Sequence, residues 1–240
     1  MSTPDYQAGN QWTGHFAGHF ANHALAYPAE YVIRIFRGSY PHLAMPKPQS
    51  GQSVLDVGCG DGRHLPFFAS LGLDAHGVEI AAPIVEQLRG RLAPLGIAAD
   101  RLRVGSCASL PFADATFDYV MAWNSAYYMS LDGADFTAHA AELTRVLRPG
   151  GWLVISVPKP SAFIFAGSEP APTPGCRIVR QDPFGVRNGE MMRVFQDGAE
   201  LAAAFATEYD TFCHADIHDD CFGFAYHWFL LVARKKETAA

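Results

Sequence analysis

The segment 54–63 contains the residues best suited to bind a small molecule. It reads VLDVGCGDGR, so that glycines at positions 58, 60 and 62 follow a short apolar run. Glycines between a buried strand and a helix let a ligand approach the backbone closely. A dinucleotide site requires GxGxxG, in which a pyrophosphate meets the helix N-terminus, whereas the third glycine here comes one residue early. With Asp56 as a nearby anion, the spacing favours a cationic ligand without phosphate; a tight turn that binds nothing is the alternative.

A second carboxylate, Glu79, stands 23 positions after Asp56, at the end of the next apolar run. A carboxylate at this distance from a glycine loop can accept hydrogen bonds from both hydroxyls of a ribose. The alternative is an exposed acid at a strand end. The position relative to the loop favours the ribose.

Three histidines recur every four residues near the N-terminus. On a helix this period places His15, His19 and His23 in one stripe and Phe16 and Phe20 in the next. Two histidines at this spacing can share a zinc ion, and one of them can act as a general base. No carboxylate follows at a matching spacing, so we expect a polar helix face and keep His15 and His19 as candidate bases.

Other histidines lie near the C-terminus and beside the glycine loop. In a strand, His214, Asp216, His218 and Asp220 would share one face. We expect a solvated edge strand there, because charged side chains discourage pairing between edges, and we predict no metal site. His64 either covers the bound ligand or faces the pocket wall, and His227 has the pattern of a core histidine.

Short apolar runs separated by helix-length segments predict a parallel sheet from residue 53 onward. The predicted strands are 53–57, 74–80, 101–104, 117–123 and 152–157. A helix that follows the glycine loop is predicted to end at about Leu71, and two more helices are predicted at about 83–95 and 135–147. Residues 1–48 are predicted to form a helical lid and 49–240 the main domain. An insertion at about 158–195 contains two short strands, 177–180 and 191–195. A helix from Asp197 to Phe205 and two strands, 211–218 and 224–233, complete the chain.

Four motifs in this order resemble the class I S-adenosylmethionine (AdoMet)-dependent methyltransferases. They are Val54–Gly62, Glu79, the stretch from Leu110-Pro111-Phe112 to Phe117-Asp118-Tyr119-Val120, and Arg145–Gly151. The resemblance covers residues 53–157. It implies an α/β, Rossmann-like, doubly wound sheet of seven strands with the last strand antiparallel. It also implies AdoMet as the cofactor, bound by Asp56, Gly58, Cys59, Gly60, Glu79, Ile80, Ser106, Cys107 and Asn124.

Within that set, the resemblance assigns the glycine loop to the methionine end, Glu79 to the ribose and Ile80 to the adenine. The family often has an acid after the third strand, where this chain has Ser106, whose hydroxyl can still accept a hydrogen bond from adenine. Cys107 would contribute its backbone N–H. Asn124 is expected at the methionine end of the cofactor.

The loop after the fourth strand reads WNSAYYM. Families that methylate the exocyclic amines of bases or glutamine amides tend to carry an Asn/Asp-Pro-Pro-aromatic run here. This loop has no proline, which argues against those two kinds of acceptor. Tyr127 and Tyr128 either shape the acceptor pocket, where they are weak catalytic candidates, or pack in the core.

The composition narrows the acceptor further. The net charge is −6, which argues against a nucleic-acid acceptor. Five scattered cysteines without CxxC spacing indicate free thiols in a reducing, cytoplasmic environment. No signal peptide or membrane span is expected. The resemblance therefore predicts O- or N-methylation of a small, aromatic or apolar molecule. The sequence does not decide whether the protein is a monomer or a homodimer. The alternatives are a protein or RNA methyltransferase and a non-catalytic AdoMet-binding scaffold.

Overall fold

The computed structural model describes Gly18, residues 27–129 and residues 135–237. His15, His19 and His23, and nearly all of the helix predicted around them, lie outside this part of the chain. The strands are β1 (Ser53–Val57), β2 (Asp74–Glu79), β3 (Leu102–Val104), β4 (Phe117–Trp123), β5 (Tyr128–Met129), β6 (Leu147–Pro158), β7 (Glu169–Pro170), β8 (Cys176–Ile178), β9 (Met191–Arg193), β10 (Tyr209–Cys221) and β11 (Phe224–Lys235). The helices are α1 (Glu30–Arg37), α2 (Leu65–Ser70), α3 (Ala82–Leu92), α4 (Phe136–Val146) and α5 (Gly198–Ala203).

Seven strands form one sheet in the spatial order β3-β2-β1-β4-β6-β11-β10. The pairs from β3 to β6 are parallel, whereas β11 is antiparallel to both β6 and β10. This confirms the expected sheet with its antiparallel last strand. The central strands are continuous apolar runs because both of their faces are covered by other elements.

The helices divide between the two faces of the sheet. One face packs against α1, α2 and α3, and the other against α4 and α5, each face with its own apolar core. Successive side chains of β4 alternate between the two cores. Tyr119 and Met121 belong to the first core, and Val120 and Ala122 belong to the second. The doubly wound prediction is therefore confirmed.

Helix α1 belongs to the segment that the sequence assigns to a lid. Its Val32, Ile35 and Phe36 are buried, and the Phe36 ring lies 4.8 Å from Phe68 and 5.8 Å from Tyr119. The helix is thus part of the core of the domain. The lid proposal is therefore restricted to the residues before α1.

Local signals account for where the later helices begin. Asp135 caps α4 by accepting a hydrogen bond from the N–H of Ala138, and Asp197 caps α5 through the N–H of Glu200. Asp197 and Glu200 form only part of a capping box, because the Glu200 carboxylate accepts from the N–H of Gln196 instead of that of the cap residue. Helix α5 also ends earlier than predicted, at Ala203.

Three further boundaries correct the sequence prediction. Strand β6 begins at Leu147, so the residues 148–151 already belong to it. Strands β10 and β11 are longer than predicted and meet at a two-residue turn, Phe222-Gly223, in which both residues have positive φ. Leu95, expected on the buried face of the third helix, is exposed in a short 3₁₀ turn.

The segment 158–195 forms most of a second, antiparallel sheet with the order β5-β9-β8-β7. Its strand β5 comes from the loop after β4, where no strand was predicted. Val179, Met192 and Phe195 join this sheet to the core beside α4 and α5. No helix among the described residues is long and apolar enough to cross a membrane, and all five cysteines are free thiols.

The motif Arg145–Gly151 contributes to the fold through Arg145. Its guanidinium donates to the carboxylates of Glu142 and Asp114 and to the carbonyls of Leu110 and Phe112, at 2.7 to 3.0 Å. Glu142 in turn accepts from the N–H of Leu110. Together the two side chains attach the segment before β4 to helix α4.

Replacing Arg145 by lysine should lower the free energy of unfolding by about 2 kcal/mol, because a single ammonium cannot serve both carbonyls and both carboxylates. Urea unfolding would measure the loss. The matched control is Arg148→Lys, whose more exposed guanidinium pairs with Asp118 and should cost less than about 1 kcal/mol. Equal losses for the two variants would contradict the role given to Arg145.

Candidate functional site

The carboxyl ends of β1, β2 and β4 meet at one edge of the sheet, with β1 in the middle. In open parallel sheets ligands bind at this edge. The residues that follow these ends are the glycine loop 58–62, the stretch from Glu79 to Ala81, and the loop that begins at Asn124. The predicted site residues of these three segments are therefore neighbours in space.

The glycine loop depends on glycine at its positions 58 and 62. Both have φ near +70°, a region that other residues rarely adopt. A Cβ atom on Gly58 would lie 2.5 Å from the Cβ of Ser125, and one on Gly62 would lie 2.9 Å from methyl groups of Leu88 and Leu92. The first glycine thus permits contact with the loop after β4, and the last permits close packing on α3.

Glu79 is directed at this loop and is only 3% exposed, which excludes the alternative of an exposed strand-end acid. One carboxylate oxygen accepts from the N–H of Gly60 at 3.0 Å and the other from the N–H of Ile80 at 2.8 Å. Burial raises the pKa of Glu79, the backbone N–H groups oppose this change, and the nearby Asp56 adds to it. The N–H of Ala81 also hydrogen-bonds to this carboxylate, so about one of its roughly four lone-pair sites is left for a further donor.

Asp56 lies deeper, 1% exposed, and its carboxylate is 3.0 Å from Nδ1 of His64. The other ring nitrogen of His64, Nε2, is buried and has no hydrogen-bond partner among the residues that the structure describes. Burial raises the pKa of the Cys59 thiol well above its ordinary value, and the charges of Asp56 and Glu79 raise it further. The region behind the loop is therefore negatively charged, which favours a cation.

The loop after β4 is held by two serines that sequence reasoning did not single out. Ser125 Oγ donates to the carbonyl of Val57 at 2.6 Å. Ser156 Oγ accepts from the N–H of Asn124 and donates to its side-chain oxygen, both at 2.8 Å. Asn124 has φ +55°, which asparagine tolerates better than most residues. The sequence gives no direct indication of Ser125. Its role becomes visible only in the structure, where it lies so close to Gly58 that no side chain would fit at position 58.

The segment after β3 closes on itself. Ser106 and Ser109 exchange backbone hydrogen bonds at 3.1 and 3.0 Å. Cys107 is buried between them and the loop after β4. Burial raises the pKa of its thiol to about 12, although a hydrogen bond with Ser125 acts in the opposite direction. The thiol is therefore neutral, and Ser106 stays at the edge of the site with a half-buried side chain.

Tyr127 and Tyr128 stack with ring centroids 4.9 Å apart. The Tyr128 hydroxyl accepts from Arg187, which also pairs with the buried Asp182 at 3.0 Å. Burial raises the pKa of both phenols, so both keep their protons near neutral pH. These contacts favour a packing role between the two sheets over a role as general base.

The loop, the two carboxylates and His64 together define what the site can bind. The buried negative charge suits the cationic end of a sulfonium amino acid, and the remaining lone-pair site of Glu79 suits a hydroxyl donor such as that of a ribose. The short turn GxGxG offers its backbone where GxGxxG would hold a diphosphate. The residues present therefore fit AdoMet.

Comparison with known proteins agrees with this geometry. Residues 54–151 match the model of a family described as methyltransferase domain. An O-methyltransferase of Penicillium expansum, cnsE, is 36% identical over 114 residues, which are 45% of this chain and 39% of that protein. The nocamycin O-methyltransferase of Saccharothrix syringae is 34% identical over 116 residues, 47% of this chain and 40% of its own. This chain thus spans about two fifths of the length of these relatives.

Solved structures share the fold at lower identity. A SAM-dependent methyltransferase from Methanosarcina mazei is 20% identical with a TM-score of 0.63, covering 80% of this chain and 95% of its own. A Burkholderia thailandensis enzyme, 1,6-didemethyltoxoflavin-N1-methyltransferase with bound 1,6-didemethyltoxoflavin and S-adenosylhomocysteine, is 18% identical with a TM-score of 0.59. That match covers 99% of this chain and 92% of the other.

Proposed function

Because this chain belongs to the class I AdoMet-dependent methyltransferases, we propose that it transfers a methyl group from AdoMet to an oxygen or nitrogen atom of a small molecule. The observation that carries the proposal is the pair of buried carboxylates, Asp56 and Glu79, behind a glycine loop at the carboxyl edge of the sheet. The resemblance and the geometry lead to the same cofactor.

Each side chain has a defined part in cofactor binding. When bound, AdoMet supplies a methyl group already activated by its sulfonium. Glu79 uses its remaining lone-pair site to accept from a ribose hydroxyl while it holds the glycine loop in place. Asp56 provides negative charge at the methionine end, beside Gly58, Cys59, Gly60 and Asn124. Ile80, Ser106 and Cys107 border the adenine.

The protein contributes to the transfer mainly by position. Holding an acceptor about 3 Å from the methyl group in a dry pocket supplies several kcal/mol. A neutral amine needs no base, whereas a hydroxyl must lose its proton. Since burial keeps Tyr127 and Tyr128 protonated, a base for a hydroxyl acceptor would come from elsewhere, and His15 and His19 stay the candidates from the sequence.

An aromatic cluster supports a ring-bearing or apolar acceptor. In the register, Trp228 is opposite Pro158, so β11 continues beyond the carboxyl end of β6. There the rings of Phe163, Phe184, Phe224, Tyr226 and Trp228 lie 5.0 to 6.2 Å from their neighbours. Phe184 is half-exposed, and the buried indole nitrogen of Trp228 has no hydrogen-bond partner in the described part of the chain. Apolar pockets with a few polar groups are typical of small-molecule sites.

Methyl-labelled AdoMet tests the proposal directly. Incubated with the protein and a cell extract, it should label material that passes a small-molecule filter. Label in protein or RNA would overturn the small-molecule acceptor and leave the methyltransferase. Absence of AdoMet binding in a calorimetric titration would overturn the whole proposal, and binding without any transfer would favour the non-catalytic scaffold.

The predicted lid gives a second test. The double variant Phe16→Ala/Phe20→Ala should bind AdoMet like the parent but raise the KM for the acceptor at least about tenfold, since lids close the acceptor pocket and exclude water. The control Tyr27→Ala removes an aromatic ring that is 81% exposed and should change neither value. Unchanged KM in the double variant would remove the lid from the proposal.

A further inference from the structure

The far end of the β10–β11 hairpin brings two histidines and an aspartate together. His218 and His227 are directly opposite each other in the antiparallel register, and Asp220 follows two positions later on the same face. The nearest ligand atoms of the three side chains all lie within 4.8 Å of one another. We propose that His218, Asp220 and His227 bind a divalent transition-metal ion of the Zn²⁺ type.

His227 is only 6% exposed, and one of its two ring nitrogens has no aligned hydrogen bond within the described part of the chain. Its Nδ1 lies 2.9 Å from the hydroxyl of Ser161. Its Nε2 is buried without a hydrogen bond among the described residues, 3.2 Å from an oxygen of Asp220. A buried polar atom left unpaired is costly. A histidine that binds metal through one nitrogen commonly donates from the other to a fixed partner, and Ser161 is placed for that role.

The donor set selects the kind of ion. Two imidazoles and one carboxylate suit Zn²⁺ and neighbouring divalent transition metals, whereas Mg²⁺ and Ca²⁺ prefer oxygen donors alone. Three protein ligands also leave one position of a four-coordinate ion open to water. The site would join the two strands just before their turn at Phe222-Gly223.

Binding requires a small rearrangement that the exposed ligands can make. The two imidazole rings are stacked, 3.6 Å apart, so their in-plane lone pairs do not converge on one point. The side chains of His218 and Asp220 are 65% and 72% exposed, which leaves them free to turn toward the fixed Nε2 of His227. The backbone N–H of Lys159 donates to the carbonyl of His227, while its ammonium is engaged with Asp216 at 3.2 Å and with the Phe229 ring.

This set differs from the one seen in the sequence. His214, Asp216, His218 and Asp220 share one face of β10 as predicted, but His214 lies against Gly198 and Asp216 pairs with Lys159. His227, interpreted as a core histidine, replaces them. The hairpin is at the sheet edge opposite β3, separated from β1 by β4 and β6, so the site is distinct from the cofactor site.

Equilibrium dialysis of the tag-free, full-length protein against Zn²⁺ tests the proposal. We expect one bound ion per chain, with affinity reduced more than about tenfold in His218→Ala and in Asp220→Asn. Ser161→Ala should weaken binding about tenfold, the usual effect of losing the partner of a metal-bound histidine. The matched controls His214→Ala and Asp216→Asn, on the same face of the same strand, should bind Zn²⁺ like the parent.

Bound Co²⁺ adds a spectroscopic readout, since its visible bands report nitrogen and oxygen ligands in a four-coordinate site. The bands should disappear in His218→Ala and persist in His214→Ala. No bound Zn²⁺, or equal binding in all these variants, would overturn the proposal. The proposal would also be overturned if His15→Ala/His19→Ala lost Zn²⁺ binding while His218→Ala kept it, because the ion would then be bound by the N-terminal histidines. Calorimetric AdoMet affinity, unchanged in every variant, confirms that each has folded.

Discussion

Replacing Asp56 by asparagine should weaken AdoMet binding about a hundredfold while the protein stays folded. The change removes one negative charge next to the cationic end of the cofactor, and an interaction with a buried charge is worth about 1.5–3 kcal/mol. Asparagine has nearly the same shape and can still accept from Nδ1 of His64, which lies 3.0 Å from the carboxylate. The fold survives because asparagine keeps both the volume of the side chain and this buried hydrogen bond.

Isothermal titration of parent and variant with AdoMet measures this effect, and thermal unfolding without ligand checks the fold. Asp118→Asn is the matched control. Its half-buried carboxylate is in β4 and accepts from Ser53 and Arg148. Burial raises the pKa of Asp118, but these hydrogen bonds outweigh it and lower the pKa overall. The control should lose about 1–2 kcal/mol of stability and no AdoMet affinity. A similar affinity for the Asp56 variant and the parent would disprove the assignment of the loop.

Glu79→Gln should weaken AdoMet binding by about 1–3 kcal/mol, or roughly 5- to 150-fold. Glutamine has one acceptor oxygen where the carboxylate has two, so its amide group would face either the N–H of Gly60 or that of Ile80 without an acceptor. The variant therefore loses a ribose acceptor and loosens the glycine loop. Glu190→Gln, which also neutralises a carboxyl whose pKa is raised by burial, should leave affinity unchanged.

Two further measurements separate direct ribose binding from the effect on the loop. The parent should bind AdoMet more tightly than 2′-deoxy-AdoMet, and Glu79→Gln should show a smaller difference. The change in the protein and the change in the cofactor together form a double-mutant cycle, which isolates the interaction between Glu79 and the ribose hydroxyl. The parent should also lose affinity as pH falls, because binding uses the ionised carboxylate and this form is lost below the pKa. Since burial raises the pKa of Glu79, the loss begins at a higher pH than for an exposed glutamate. Glu79→Gln should lack this pH dependence. Equal discrimination in parent and variant would leave Glu79 only its role in the loop.

Some elements were predictable to the residue. The limits of β1 and β4 agree with the sequence prediction at both ends, because strands buried on both faces are continuous apolar runs that stop at polar residues or glycine. The start of α4 was equally clear, since Asp135 is a strong cap. Such features depend on residues that are near one another in the chain.

Other elements depend on distant partners and were missed. Strand β5 exists only because Tyr128 pairs with Met192 across 64 positions, and two residues carry no periodicity that would reveal a strand. Strand β6 begins at Leu147 because β4 offers a partner there, although Pro149 and Gly150 resemble a turn. Long-range pairing overrides local preference in both places.

By itself, the sequence determined the class of the fold, the positions of its parallel strands along the chain and the segments that carry the candidate cofactor residues. These depend on apolar periodicity, glycine spacing and caps, all of which are local. Only the tertiary structure decided that Glu79 closes on Gly60, that Ser125 fills the space beside Gly58, and that His227 joins His218 and Asp220. Those contacts link residues that are close only after the strands have paired and the helices have packed. They could therefore not be predicted from the spacing of residues along the chain.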